Sequence, residues 1–293
     1  MSIPKYEVFN TVIELGSLTK AAEALNLTQS AISYSISNLE TELGFPLLTR
    51  NRSGISLTSN GKRILKYVRT ILHWDEKMKQ EAASIKGIEV GTIRIGAFTS
   101  VCTQWLPGIM KKFKEEHPAI EIKILQGGYE DIEHWIRNGS VDFGFVTLPT
   151  DKSFDIISLA KDRMLCILAK NHPLSVQDKI QIEQLVKEPF IIPKSGYDND
   201  LTRIFKDIHS SFNIKFEMAD DQAIIAMVEN ELGISIIPEL VLHGHPHNVS
   251  IHELEQEKFR NIGIASTSLK ELSPAAVKFI TTIKNAIGSS KLI

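Results

Sequence analysis

Residues 18–58 read LTKAAEALNLTQSAISYSISNLETELGFPLLTRNRSGISLT. The stretch opens as a short helix over 18–25, with Ser17 before it as a cap. The link Asn26-Leu27 is tight, and Asn tolerates the left-handed conformation such a link needs. Thr28 then caps a third helix whose Ile32, Ile36, Leu39 and Leu43 recur at helical spacing, and Gly44 ends it. Two helices that cross at a fixed angle need small or apolar residues at set offsets. Counting Leu18 as the first position, Ala21, Ala22, Leu25, Leu27 and Ile32 fill those offsets, while Asn26 stands where Gly is usual. Residues 47–58 predict two short strands around a Ser53-Gly54 turn. Upstream, residues 4–15 predict a helix with Pro4 in its first turn, Tyr6, Phe9 and Ile13 on one face, and Gly16 closing it.

The third helix keeps Gln29, Ser30, Ser33, Tyr34 and Ser37 on its free face, next to the cap Thr28. Short polar side chains near a helix N-terminus can reach phosphates and base edges together. The hairpin that follows adds Arg50 and Arg52 beside that face, as a wing. Whole-chain charge conceals this. The 293 residues carry a formal charge of only -2, which argues against a strongly basic protein. Divided at the end of the long helix described next, residues 1–86 carry +3 and residues 87–293 carry -5. No acidic residue occurs between Glu42 and Asp75, a span holding Arg50, Arg52, Lys62, Arg63, Lys66 and Arg69. Such asymmetry points to nucleic acid as the partner of the first part, and the free helix face with its wing to double-stranded DNA.

Beyond the hairpin, Thr58 or Ser59 caps a helix running to about Lys86. Ile64, Val68, Ile71, Met78 and Ile85, with Leu72 and Trp74 alongside, form a stripe without a folded partner nearby in sequence, which implies a second copy of the chain. Gly87 and Gly91 bracket a hinge. Strands at 92–97, 120–125 and 142–146 then alternate with helices at 103–116 and 130–138, a βαβαβ pattern that argues for a parallel sheet. A second set follows: strands at 164–169, 189–192, 215–218 and 234–237, helices at 199–211 and 220–230, a strand at 261–265 and a terminal helix at 274–286. Ligands of open α/β sheets bind beyond the carboxyl ends of strands. Here those ends deliver Thr99 and Ser100, Gly127 and Gly128, Thr147, and the loop Pro193–Gly196 with Lys194 and Ser195. Backbone N–H groups, hydroxyls and one lysine favour a small anion such as a carboxylate.

The segment 18–61 resembles the winged helix-turn-helix of LysR-type transcriptional regulators. The likeness continues through GTIRIGAFTSV, LPGIMKKFKEEHPAIEIKI and LQGGYEDIEHWIRNGSVDFGFV, and covers essentially the whole chain. Many members carry Arg at the place of Tyr34. The resemblance implies an α/β protein with an N-terminal all-α winged helix-turn-helix, at 1–58. A linker and dimerisation helix with its hinge follows at 59–90. The effector-binding part at 91–293 has two α/β subdomains like those of periplasmic binding proteins, one of about 91–161 with 266–293 and one of about 162–265. It further implies a homodimer or homotetramer, effector contacts at Thr99, Ser100, Thr147 and the 194–196 loop, and contact with RNA polymerase.

Other features are read more plainly. Cys102 and Cys166 are too few for a disulfide framework or a four-cysteine zinc site, and read either as a redox pair or as small buried hydrophobes. His243, His245 and His247 lie in HGHPH, where three imidazoles suit zinc or nickel, but Gly244 and Pro246 suggest a loop with the rings pointing apart. Asp220 and Asp221 suit the cap and first turn of the helix that follows them. No membrane span, signal peptide, catalytic triad or phosphate loop is found, so the reading expects a cytoplasmic regulator with no cofactor and no enzymatic activity. The alternative is a small-molecule binding protein or enzyme whose first 58 residues only assemble protomers.

Overall fold

The structure is a computed structural model that describes residues 2–51, 54–194, 213–244 and 247–289. It divides into two compact units, one built on residues 1–91 with the short segments 137–140 and 273–275, the other on the remainder.

In the first unit α1 (Ile3–Leu15) ends at Gly16, whose φ of 61° supplies the left-handed turn. The helices α2 (Leu18–Ala24) and α3 (Gln29–Leu43) follow. Asn26 between them has φ 52°, the conformation expected of it. Thr28 Oγ1 accepts from the Ala31 backbone N–H at 3.1 Å and so caps α3. Phe9, Val12, Ala21, Ile32, Ile36 and Leu39 interlock in one apolar core. The hairpin β1 (Leu48–Asn51) and β2 (Gly54–Leu57) is antiparallel, with Leu48 opposite Leu57. Glu40 on α3 fixes its root, because its Oε1 accepts from the Leu47 and Leu48 N–H groups at 2.7 and 3.1 Å.

The helix α4 (Ser59–Ile85) is capped by Thr58, whose Oγ1 accepts from the Gly61 N–H at 2.9 Å. Its apolar stripe divides in two, which corrects the expectation that it lacks a neighbouring partner. Leu65 and Val68 are buried in the core of the unit, and Ile64 and Leu72 pack against it. Tyr67, Ile71, Trp74, Met78 and Ile85 remain exposed.

The second unit holds a sheet of order β4-β3-β5-β12-β6-β11-β7, with β10 also paired to β6. Its strands are β3 (Gly91–Ala97), β4 (Ile120–Gln126), β5 (Phe143–Leu148), β6 (Asp155–Ala169), β7 (Lys179–Ile180), β10 (Ser235–Pro238), β11 (Val249–Leu254) and β12 (Phe259–Ser266). The strands β8 (Phe190–Pro193) and β9 (Ile214–Met218) pair separately and in parallel. The helices are α5 (Thr99–Gln104), α6 (Leu106–Glu116), α7 (Tyr129–Arg137), α8 (Ile182–Leu185), α9 (Asp221–Glu229), α10 (Glu239–Leu242) and α11 (Pro274–Ser289). The expected helix at 199–211 lies outside the described residues. Asp220 caps α9 as anticipated, its Oδ1 accepting from the Gln222 N–H at 2.9 Å.

Three departures from the sequence pattern matter. The sheet is mixed rather than parallel: β3 and β5 are parallel, but β12 runs antiparallel to both β5 and β6. The expected helix at 103–116 is two helices starting at Thr99, because Pro107 cannot donate a backbone hydrogen bond and its ring crowds the preceding turn. The expected strand at 164–169 is the end of a 15-residue strand. Residues 155–163 of β6 pair with β12, and residues 164–169 pair with β10 and β11. The strand thus passes from a first half of the unit, around β3–β5 and β12, into a second half around β10 and β11. By this pairing Phe259–Ser266 lies beside β5, and the sequence-based limit at 265/266 falls at its far end.

Gly61 is the glycine whose replacement is most informative. A Cβ there would be driven into the backbone oxygen of Leu47. Gly61→Ala is expected to destabilise the first unit by about 1–3 kcal/mol, as overpacking does. The measurement is calorimetry: the transition of that unit should fall in temperature while that of the second unit stays in place.

Candidate functional site

Two surfaces carry the candidate functional side chains. The first is the free face of α3. Thr28, Gln29, Ser30, Tyr34 and Ser37 are exposed, Tyr34 to 72%, and Ser33 is half-buried. The reason is helical geometry: Ile32, Ile36 and Leu39 take the opposite face into the core. The hydroxyls of Thr28 and Ser30 lie 2.9 Å apart. Arg50 lies in β1, and Arg52 falls outside the described residues. Near the start of α4, a cavity of about 370 Å³ is lined by Phe45, Asn60, Arg63, Ile64, Lys66 and Tyr67, so basic side chains continue beyond the hairpin.

The second surface gathers where β3 and β4 end, beside the middle of β6 and the start of β12. Phe98 follows β3, and Thr99 and Ser100 open α5. Thr99 is exposed and its Oγ1 accepts from Gln126 Nε2 at 3.1 Å. Ser100 is buried, and its Oγ accepts from Arg260 Nη2 at 2.7 Å. The position expected to greet an anion is thus filled by a guanidinium of the chain itself. Arg260 Nη1 donates to the Tyr129 hydroxyl at 2.9 Å, and Nε donates to Asp162 Oδ2 at 2.7 Å. Nη2 also lies 2.7 Å from that carboxylate oxygen, and the Arg260 side chain is fully buried. One face of the guanidinium covers the Phe98 ring at 5.0 Å, and Phe98 meets Tyr129 edge-on at 5.1 Å. The other carboxylate oxygen, Asp162 Oδ1, accepts from the Leu240 N–H of α10 at 3.0 Å.

The next residue of β6 grips the same short helix from the other face of the strand. Arg163 donates through Nε and Nη2 to both oxygens of Glu239, at 2.9 and 2.8 Å, and through Nη1 to Glu253 at 2.7 Å. These bonds hold the Glu239 carboxyl below the ordinary value of 4.5 and the Arg163 guanidinium above its own.

The remaining candidates stand apart from this cluster or add little to it. Gly128 donates its N–H to Asp131 Oδ2 at 3.1 Å, and Thr147 is buried in β5. Lys194 is exposed after β8, and Ser195 lies outside the described residues. Burial pushes the Cys102 thiol up to about 11 and the Cys166 thiol further, so both stay protonated and weakly nucleophilic. His247 Nε2 lies 3.2 Å from the Leu242 oxygen, while Gln104 Nε2 donates to the His243 oxygen at 2.7 Å. His245 is outside the described residues, among which no group of three or more His, Cys, Asp or Glu could hold a metal ion. Among those residues, too, no helix is long and apolar enough to cross a membrane.

Comparison with known proteins matches both parts of the chain to models of one family. Residues 3–62 match the model of the bacterial regulatory helix-turn-helix protein, lysR family, and residues 86–288 match that of the LysR substrate binding domain. The chain belongs to the LysR family. It is 35% identical to YvbU of Bacillus subtilis (strain 168), an uncharacterised HTH-type transcriptional regulator, over 99% of this chain and 100% of that one. It is 30% identical to the transcriptional dual regulator GltC of the same organism, over 95% of each chain. Among solved structures, a full-length OxyR variant from Pseudomonas aeruginosa shares the fold with a TM-score of 0.78 at 18% identity, covering 100% of this chain and 99% of that one. The effector-binding domain of QuiR in complex with shikimate gives 0.63 at 22% identity over 69% of this chain and 99% of that one. The family is one of DNA-binding transcriptional regulators that carry an effector-binding domain, rather than one of enzymes.

Sequence reasoning singled out Thr99 and Ser100 as candidate effector contacts but not Arg260, Asp162 and Tyr129, with which the structure groups Ser100. The signal available was slight: Asp162 and Arg260 each lie within two residues of an apolar strand run, where a charge must be solvated or paired. The Glu239 carboxyl supplies a pH test. A depressed pKa adds stability that is present above the ordinary value and is lost as the pH falls through the folded one. Wild type should therefore outmelt Glu239→Gln at neutral pH, and the gap should narrow as the pH falls below about 4.5. A gap that does not narrow on acidification below that ordinary value would contradict the assignment.

Proposed function

We propose that this LysR-family chain reads duplex DNA as a homo-oligomer and answers to a small anionic effector bound between the halves of its second unit. Residues 1–58 form the DNA-binding domain, 59–90 the linker helix and hinge, and the rest the effector-binding domain. The observation that carries the reading is the exposed, uncharged face of α3, on which Gln29, Ser30, Ser33 and Ser37 surround Tyr34, where an assembly surface would be more apolar. Gln29, Ser30, Ser33, Tyr34 and Ser37 meet base edges and phosphates in the major groove, Thr28 sets the helix start, and Arg50 and Arg52 hold backbone. Effector contacts are assigned to Thr99, Ser100, Gly128, Thr147, Lys194 and Ser195. The shikimate in QuiR favours a carboxylate. RNA polymerase is the further partner, reached when the effector alters the arrangement of protomers.

Arg50→Ala should weaken binding to specific and random duplex alike and make the dependence of affinity on salt shallower by about one unit per lost phosphate contact. Gln29→Ala should instead lower the preference for the operator over random duplex. Gel-shift competition at several salt concentrations separates the two; an equal loss for Gln29→Ala on both duplexes would remove its reading role.

Assembly is assigned to the exposed part of α4. Tyr67, Ile71, Trp74, Met78 and Ile85 are spaced by four, three, four and seven residues, the heptad spacing of a helix that packs along another. Met78→Glu should convert the oligomer to monomer in sedimentation velocity while the far-ultraviolet spectrum stays unchanged.

A further inference from the structure

Ser100 and Leu240 belong to different halves of the second unit, yet a single buried charge pair lies between them. Ser100 opens α5 and Tyr129 opens α7, both in the first half. Both hydroxyls accept from Arg260. Arg260 and Asp162 are register partners on β12 and β6, at the point where β6 leaves β12 for β10 and β11. Asp162 divides its two oxygens, one toward Arg260 and one toward the Leu240 N–H at the start of α10.

A charge pair this deeply buried is weak as a stabiliser, because desolvating both ions offsets most of their attraction. Its distinctive property is directional: one guanidinium plane and one carboxylate plane must both hold their angles for all four bonds to form. We infer that the Asp162–Arg260 pair is a latch that couples the candidate effector position at Ser100 and Tyr129 to helix α10 in the second half. A change at either hydroxyl reorients the guanidinium, the guanidinium reorients the Asp162 carboxylate, and α10 loosens. Arg163 and Glu239 hold the same helix from the other face of β6, so the motion released is a tilt of α10 about that second anchor. An anion arriving beside Ser100 acts by competing with Asp162 for Arg260. That last step rests on the effector reading above; the latch itself does not.

The test is hydrogen exchange of the full-length protein without effector, read in peptides covering Glu239–Leu242. Ser100→Ala and Tyr129→Phe, mild changes in the first half, should each speed exchange at α10 by roughly tenfold or more, the scale set by losing a hydrogen bond to a charged group. Asp162→Asn should do the same, although its Oδ1 can still accept from Leu240. Thr99→Ala removes the neighbouring hydroxyl, which bonds Gln126 rather than Arg260, and should leave α10 unchanged. The direct bond from Gln104 to the His243 oxygen is the competing route between α5 and α10. If Thr99→Ala loosens α10 as much as Ser100→Ala does, or if only Asp162→Asn moves it, the latch is overturned. Should Asp162→Asn fail to fold, the Ser100 and Tyr129 variants decide the matter alone. Because no effector is present, a failed effector assignment leaves this result standing.

Discussion

The effector-binding unit depends on keeping a guanidinium and a carboxylate out of water at the place where its two halves meet. Arg260 has no exposed side-chain surface, and Asp162 has 5%. Neither charge is tolerable alone: removing one partner of a buried pair typically costs about 3–5 kcal/mol, because the other is left uncompensated. The surroundings are therefore constrained. Phe98 must present a ring face, Tyr129 and Ser100 must present hydroxyls, and α10 must begin where its Leu240 N–H can meet the free carboxylate oxygen. The β3–α5 turn, α7 and α10, distant in sequence, are placed by this one charge pair.

The strand β6 supplies the frame for this arrangement. Along its second part, Met164, Cys166 and Leu168 enter one apolar cluster, while Leu165 and Ile167 enter another. That is the two-residue period of a strand buried on both faces. The same alternation, one step earlier, sends Asp162 and Arg163 to opposite faces, and each finds a partner at the start of α10. A one-residue slip of β6 would exchange the two apolar clusters and also break both polar clasps, so the core and the clasps specify the same register.

How legible this was in the sequence follows from where the signal lies. The helices of the first unit show clear starts and stops: Thr28 and Thr58 cap, and Gly16, Asn26 and Gly44 turn left-handed, all as their residue types require. The apolar run at 164–169 was also plain. Its extension back to Asp155 was not, because that part carries Lys161, Asp162 and Arg163 and reads as a solvated loop. The division of α4 was hidden for another reason. Periodicity shows that Ile64, Val68 and Ile71 share a face, but not that this face is long enough to enter a core at one end and leave it at the other. Within the candidate site, strand-end position pointed to Thr99 and Ser100. The residues that decide the chemistry came from β6, β12 and α7, and no local pattern joins positions 100, 129, 162 and 260.

The distribution of forces bears on how such a domain moves. Apolar burial is roughly proportional to area and indifferent to angle, so the clusters around Ile236 and Ile224 hold the second half together without prescribing its tilt. Hydrogen bonds weaken steeply as their geometry departs from linear. At the crossing between halves the polar contacts include Asp162 with Arg260 and with the Leu240 N–H, Arg163 with Glu239 and Gln104 with the His243 oxygen, which are angle-sensitive contacts. Packed interfaces of this kind favour discrete arrangements over continuous deformation. On the proposed reading, a small anion that changes the partner of that one guanidinium selects between arrangements and is felt in both halves.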